Sequence, residues 1–119
     1  MEAGKDIDVL HPRPGTAVVE CTGEHDMTTR DETDRLFGDL VSDNELVVID
    51  VTDARFIDSS FVNNVLKADR LARQHGRHVR LQVGESPIVR RVLEISGVLG
   101  KLDCVDARDD ALRPPASAA

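Results

Sequence analysis

The sequence predicts an α/β fold: a single domain with a mixed, mainly parallel sheet of four or five strands and helices packed on it. Three observations carry this expectation. Residues 46–51, Leu-Val-Val-Ile-Asp-Val, are apolar except for Asp50, the pattern of a strand covered on both faces. Strand-like and helix-like segments then alternate to the end of the chain, as in a layered α/β domain. At 119 residues the chain suffices for one core, since a chain of that size buries roughly two-thirds of its unfolded surface. No internal repeat or second domain is visible, and the domain is expected to span 1–112. Residues 113–119, Arg-Pro-Pro-Ala-Ser-Ala-Ala, read as a disordered tail.

Each element has its own signal. Ile7 and Val9 alternate with acidic residues as in a short half-buried strand, which His11-Pro12-Arg13-Pro14-Gly15 breaks. Thr16–Thr22 is a second β-rich run, and the short Pro-Gly connection favours an antiparallel hairpin. Gly23-Glu24-His25-Asp26 follows as a loop. Thr29 and Glu32 have the spacing of a capping box, placing a helix start near Thr29, and Leu36, Phe37, Leu40 and Val41 give its inner face. After the strand at 46–51, Thr52–Ile57 leads into Asp58-Ser59-Ser60, where a helix opens. Val62, Val65, Leu66 and Leu71 face inward on it, Lys67, Arg70 and Arg73 outward, and Gly76 stops it.

Val79, Leu81 and Val83 alternate with His78, Arg80 and Gln82, the pattern of a strand with one polar face near a sheet edge. Ser86-Pro87 is a cap followed by proline at the first helical position; Val89, Val92, Leu93 and Ser96 line the inner face, and Gly97 ends the helix. Leu102–Val105 is short enough for an edge strand, and Asp109–Leu112 adds a final turn.

Composition excludes several functions. With no Trp or Tyr, only three Phe and a net charge of −7, the chain lacks stacking platforms and repels phosphate backbones, so nucleic acid is not an expected partner. No apolar run is long enough to span a bilayer and the N-terminus has no apolar signal region, which points to the cytoplasm. Residues 67–91 hold seven basic side chains (Lys67, Arg70, Arg73, Arg77, Arg80, Arg90, Arg91) against Asp69 and Glu85. This is a solvated basic surface or, less simply, an anion or small-molecule site. Cys21 and Cys104 stand alone and read as small core residues.

Catalytic constellations are scarce. Ser59 lacks the flanking glycines of a nucleophile elbow, and no glycine-rich phosphate loop or dinucleotide fingerprint is present. His75 with His78, and Cys21 with His25, are pairs without a ligand cluster beside them, so neither metal nor cofactor is expected. What remains is the corner at Asp58-Ser59-Ser60. Its plain role is helix capping. The same position also suits a switchable charge, because a phosphate on a hydroxyl at a helix start faces free amides and the positive end of the dipole.

Four segments in order, Gly23-Glu24-His25-Asp26, Leu46–Val51, Phe56-Ile57-Asp58-Ser59-Ser60 and Ser86–Gly97, resemble the STAS domain of bacterial anti-sigma factor antagonists. The resemblance runs from about Asp6 to Leu112. It implies a small non-enzymatic α/β regulator that binds an anti-sigma factor, often a serine protein kinase, and so frees a sigma factor. It also implies phosphorylation on the first serine after the motif aspartate, here Ser59, which ends the interaction. The partner-binding residues so implied are Asp58, Ser59, Ser60, Phe61, Asn63 and Asn64. Where the family usually has glycine and another small residue, this chain has Phe61 and Asn63. Phe61 is therefore either an exposed apolar anchor or a core residue beside Phe56. With it stands the alternative of a STAS interaction module without a phosphoswitch, held in a larger assembly.

Overall fold

The computed structural model describes residues 6–115. Its elements are strands β1 (Ile7–Arg13), β2 (Thr16–Cys21), β3 (Gly23–His25), β4 (Leu46–Asp50), β5 (Ala54–Ile57), β6 (His78–Gln82) and β7 (Asp103–Val105), and helices α1 (Arg30–Asp43), α2 (Ser59–Gln74), α3 (Pro87–Ile95) and α4 (Arg108–Ala111). The main sheet has five strands in the order β1-β2-β4-β6-β7. The β1–β2 hairpin is antiparallel and every other pair in this sheet is parallel, giving the mixed α/β domain that the alternation of segments predicts.

Helices α1, α2 and α3 close one face of the sheet. That face holds the main core, in which Val19, Val47, Ile49, Val79 and Leu81 of the strands meet Phe37, Val41, Phe61, Val65, Ala72 and Leu93 of the helices. Each large side chain so buried contributes about 1.5–3 kcal/mol, which is what holds the three helices on the sheet. The helix stops at Gly76 and Gly97 have φ of 67° and 74°, left-handed values that glycine adopts without a Cβ penalty.

Four details depart from the sequence-based expectations, each for a local reason. The first strand does not break at His11; it continues to Arg13 through an irregularity in register, because pairing with β2 resumes at Arg13↔Thr16. The capping box at Thr29 does not form: Thr29 makes no side-chain cap bond, and its hydroxyl donates to the Asp26 carbonyl at 3.2 Å. Gly23–His25 and Ala54–Ile57, read as loop, are short strands that pair in parallel to make a second, two-stranded sheet. Ser96 faces solvent, its hydroxyl donating to the Val92 carbonyl at 2.9 Å instead of lining the inner face of α3.

The strand at 78–82 departs most. It lies between β4 and β7 rather than at an edge, and its polar side chains Arg80 and Gln82 are buried. The C-terminal segment lies over this second face of the sheet, where Val18, Leu46 and Val48 pack against Ala111 and Leu112. Arg80 Nη1 donates to the carbonyls of Ala111 (2.8 Å) and Arg113 (2.7 Å), and its Nε to Asp103 (2.8 Å). Arg108 reaches in from α4 to Asp50 (2.6 Å), Glu20 (2.9 Å) and Gln82 (2.9 Å), which stand abreast on β4, β2 and β6. Arg13 of β1 donates to the Leu112 carbonyl. A polar strand face thus stays buried because arginines join it to the backbone of a strap. Residues 1–5 and 116–119 lie outside the described residues.

Candidate functional site

Two strands lead to the corner. β3 and β5 run in parallel with His25 opposite Ile57, and the Asp58 amide donates to the His25 carbonyl at 3.2 Å, fixing where β5 ends. Asp58 has extended backbone (φ −120°, ψ −175°) and serves as the N-cap of α2. Its Oδ1 accepts from the amides of Ser60 (2.9 Å) and Phe61 (3.1 Å) and from the Ser60 hydroxyl (2.6 Å). Such a cap stabilises a helix by about 0.5–2 kcal/mol.

The capping reading and the switchable-charge reading therefore fall on different residues. Asp58 is the cap and Ser60 donates to it. Ser59, the first residue of α2, is exposed, and its hydroxyl makes no hydrogen bond among the described residues. A group attached there stands at the positive end of a 16-residue helix with no internal bond to break first.

The neighbouring residues divide between surface and interior. Asn63, one turn below Ser59, is exposed. Phe61 is 2% exposed and packs in the core, its ring centroid 5.3 Å from that of His25 and 6.0 Å from that of Phe37 in an edge-on arrangement. Of the two readings of Phe61, the core one describes its place, although its neighbours are His25 and Phe37; Phe56 is 41% exposed. Asn64 is buried, and its Nδ2 donates to the Arg30 carbonyl at 3.0 Å, tying α2 to the first turn of α1.

His25 and Arg30 thus support the corner without having been singled out for it. Both hold it through backbone carbonyls, which carry no side-chain signal in a sequence, and His25 also packs its ring on Phe61. His25 is buried with its Nε2 2.7 Å from the Thr22 carbonyl, while its Nδ1 lies buried without a partner among the described residues.

Other candidate chemistry does not converge. The basic residues of 67–91 are dispersed: Lys67 pairs with Asp34, Arg73 with Asp69 and Arg90 with Asp106, Arg77 donates to the Asn44 carbonyl, and Arg80 lies under the strap. Lys67 alone of them lines the groove of about 220 Å³ between α1 and α2, with Asp34, Phe37, Gly38, Ala68 and Leu71. His78 lies 2.7 Å from Asp103 whereas His75 is exposed at the end of α2. Burial, with a smaller contribution from Asp50, pushes the Cys21 thiol far up. Cys104 is pushed up to about 11 by burial and then by Asp103 and Asp106, so neither supplies a thiolate near neutral pH. Among the described residues no group of three or more His, Cys, Asp and Glu could hold a metal ion, and no helix is long and apolar enough to cross a membrane.

Comparison with known proteins bears on the family and the fold. The STAS domain model matches residues 9–111. An anti-sigma factor antagonist from Mycobacterium paratuberculosis is similar in structure, with 27% identity, a TM-score of 0.72, and coverage of 89% of this chain and 91% of that one. Two structures of SpoIIAA share the fold. The unphosphorylated form of this anti-sigma factor antagonist has 19% identity and a TM-score of 0.68, covering 87% of this chain and 91% of that one. The phosphorylated form of the Bacillus cell fate determinant has 23% identity and a TM-score of 0.69, covering 87% and 93%. No curated protein sequence matches the chain.

Proposed function

The chain belongs to the STAS domain family, and from that premise we propose that it acts as an anti-sigma factor antagonist in bacterial transcription control. In this reading it is a non-enzymatic cytoplasmic module that binds an anti-sigma factor through the Asp58 corner and the exposed side of α2, freeing a sigma factor. Its partner is a serine kinase that phosphorylates Ser59 and so ends the interaction. The observation that carries the proposal is the free Ser59 hydroxyl on an exposed helix start whose capping is done by Asp58.

The division of labour supports a switch that leaves the fold alone. Phosphorylation adds about −1.5 to −2 charges. At Ser59 it breaks no bond of the cap, and it sets a dianion next to the Asp58 carboxylate on the surface a partner covers. Like-charge repulsion and the cost of desolvating that dianion then act on binding alone. The likeness to the Mycobacterium paratuberculosis antagonist favours the same class of partner, and SpoIIAA keeps this fold in phosphorylated and unphosphorylated forms. Ser59, Ser60 and Asn63 form the contact in this reading, with Asp58, Phe61 and Asn64 setting their positions from beneath. The core position of Phe61 favours the phosphoswitch over a module anchored by an exposed aromatic ring.

Titrating the anti-sigma factor against the wild type, Ser59→Ala and Ser59→Asp tests this. Wild-type and Ser59→Ala chains should bind alike, and Ser59→Asp should lose binding at unchanged melting temperature. Equal binding by Ser59→Asp contradicts the proposal.

A further inference from the structure

The Asp58 corner has a twin. β3 is followed by Asp26-Met27-Thr28 as β5 is followed by Asp58-Ser59-Ser60, and the two strands pair in parallel. Asp26 has the same extended backbone as Asp58 (φ −137°, ψ −167°). Its Oδ1 accepts from the Thr28 amide at 2.9 Å and the Thr28 hydroxyl at 2.6 Å, matching the bonds from Ser60 to Asp58. The Thr28 hydroxyl and amide hold the Asp26 carboxyl below its ordinary value. Both turns open helical segments, a short 3-10 turn at Met27–Thr29 and α2 at Ser59.

By position, Met27 is the counterpart of Ser59. It is 69% exposed, an apolar side chain in water at a place where its neighbours are polar. Paired strands lie roughly 4.8 Å apart, and the Asp58 amide bonds directly to the residue before Asp26, so the two turns stand side by side. A standard interface takes about 800 Å² from each partner, a patch of roughly 16 Å radius. A patch of that radius centred on Ser59 reaches the neighbouring turn that carries Met27.

We propose that Met27 is the apolar anchor of the partner interface: the protein surface that covers Ser59 carries an apolar recess beside it, which takes the Met27 side chain. The twin turns then divide recognition, with Met27 supplying affinity by apolar burial and Ser59 supplying the switch. An unbranched thioether adapts to such a recess, and its burial removes apolar surface from water. The inference rests on the reading that an anti-sigma factor covers the Ser59 corner.

The test uses the full chain and the purified anti-sigma factors of the organism it comes from, titrated one at a time against wild type, Ser59→Asp, Met27→Ala and Met27→Leu. Because Met27 is exposed, both of its variants should melt with the wild type. For the factor that binds wild type but not Ser59→Asp, Met27→Ala should weaken affinity about tenfold or more, and Met27→Leu, which keeps the apolar volume, should stay within about threefold of wild type. Loss on Ser59→Asp with Met27→Ala unchanged overturns the anchor and leaves the switch standing. Indifference to Ser59→Asp, or the absence of binding to any anti-sigma factor, overturns both.

Discussion

The Ser59 corner and the C-terminal strap are both polar, yet they treat their hydrogen-bonding groups in opposite ways. Under the strap, Arg80 is 6% exposed and divides its donors among Asp103 and the carbonyls of Ala111 and Arg113, while Arg108 joins Glu20, Asp50 and Gln82. At the corner, Asp58 absorbs every capping bond and leaves the Ser59 hydroxyl free. The difference separates structure from function. A buried network in which every partner is engaged holds a fold together and has nothing left to offer a ligand. An exposed hydroxyl with no internal work can be modified without disturbing what holds it.

Four measurements test that contrast. The largest effect is expected for Arg80→Ala, which strands the buried Ala111 carbonyl and weakens the pairing of Asp103. We expect a loss of about 3 kcal/mol by chemical denaturation, and a loss below about 1 kcal/mol would mean that the strap is not a structural network. Asp58→Ala should cost about 0.5–2 kcal/mol by removing the α2 cap, and Asp58→Asn or Asp58→Ser should recover most of it.

A smaller effect concerns acid. Burial pushes the Asp103 carboxyl up, but hydrogen bonds from His78 and Arg80 and the charge of Arg80 outweigh it, so the net position is below the ordinary value. A carboxyl lowered on folding adds stability above its unfolded pKa of about 3.9, and that stability is lost as pH falls through the folded value. The acid limb of the wild-type stability curve should therefore flatten in Asp103→Asn, and an unchanged limb would remove Asp103 from the strap's energetics. The smallest effect is expected for Ser59→Ala, whose stability should lie within about 0.5 kcal/mol of wild type.

The same contrast shows what a sequence can reveal. The apolar run at 46–51 and the Ser86-Pro87 start of α3 were legible because each is a local pattern with a local cause. The strap was not, since Arg80 and Gln82 alternate with apolar residues just as the outward face of an edge strand does. What buries them are contacts from Ala111 on Arg80 and from Arg108 on Gln82, some 30 residues away. Phe61 was ambiguous for a similar reason: an aromatic residue two places after Ser59 reads equally as anchor or core until Phe37 and His25 are placed around it. β3 and β5 were missed because strands of three and four residues carry too few alternations to register a period. A signal for the twin turn did exist, in the repeated Asp-x-Ser/Thr spacing at 26–28 and 58–60. Only the pairing of β3 with β5 gives that repeat a meaning.

The switch proposed at Ser59 is tested most directly by incubating the chain with the anti-sigma kinases of its organism and ATP and locating the phosphate by peptide mass spectrometry, with binding measured before and after. A single phosphate on Ser59, lost binding and a melting temperature that does not move are expected. Phosphate on Ser60 or another residue, or full binding by the Ser59-phosphorylated chain, would contradict it.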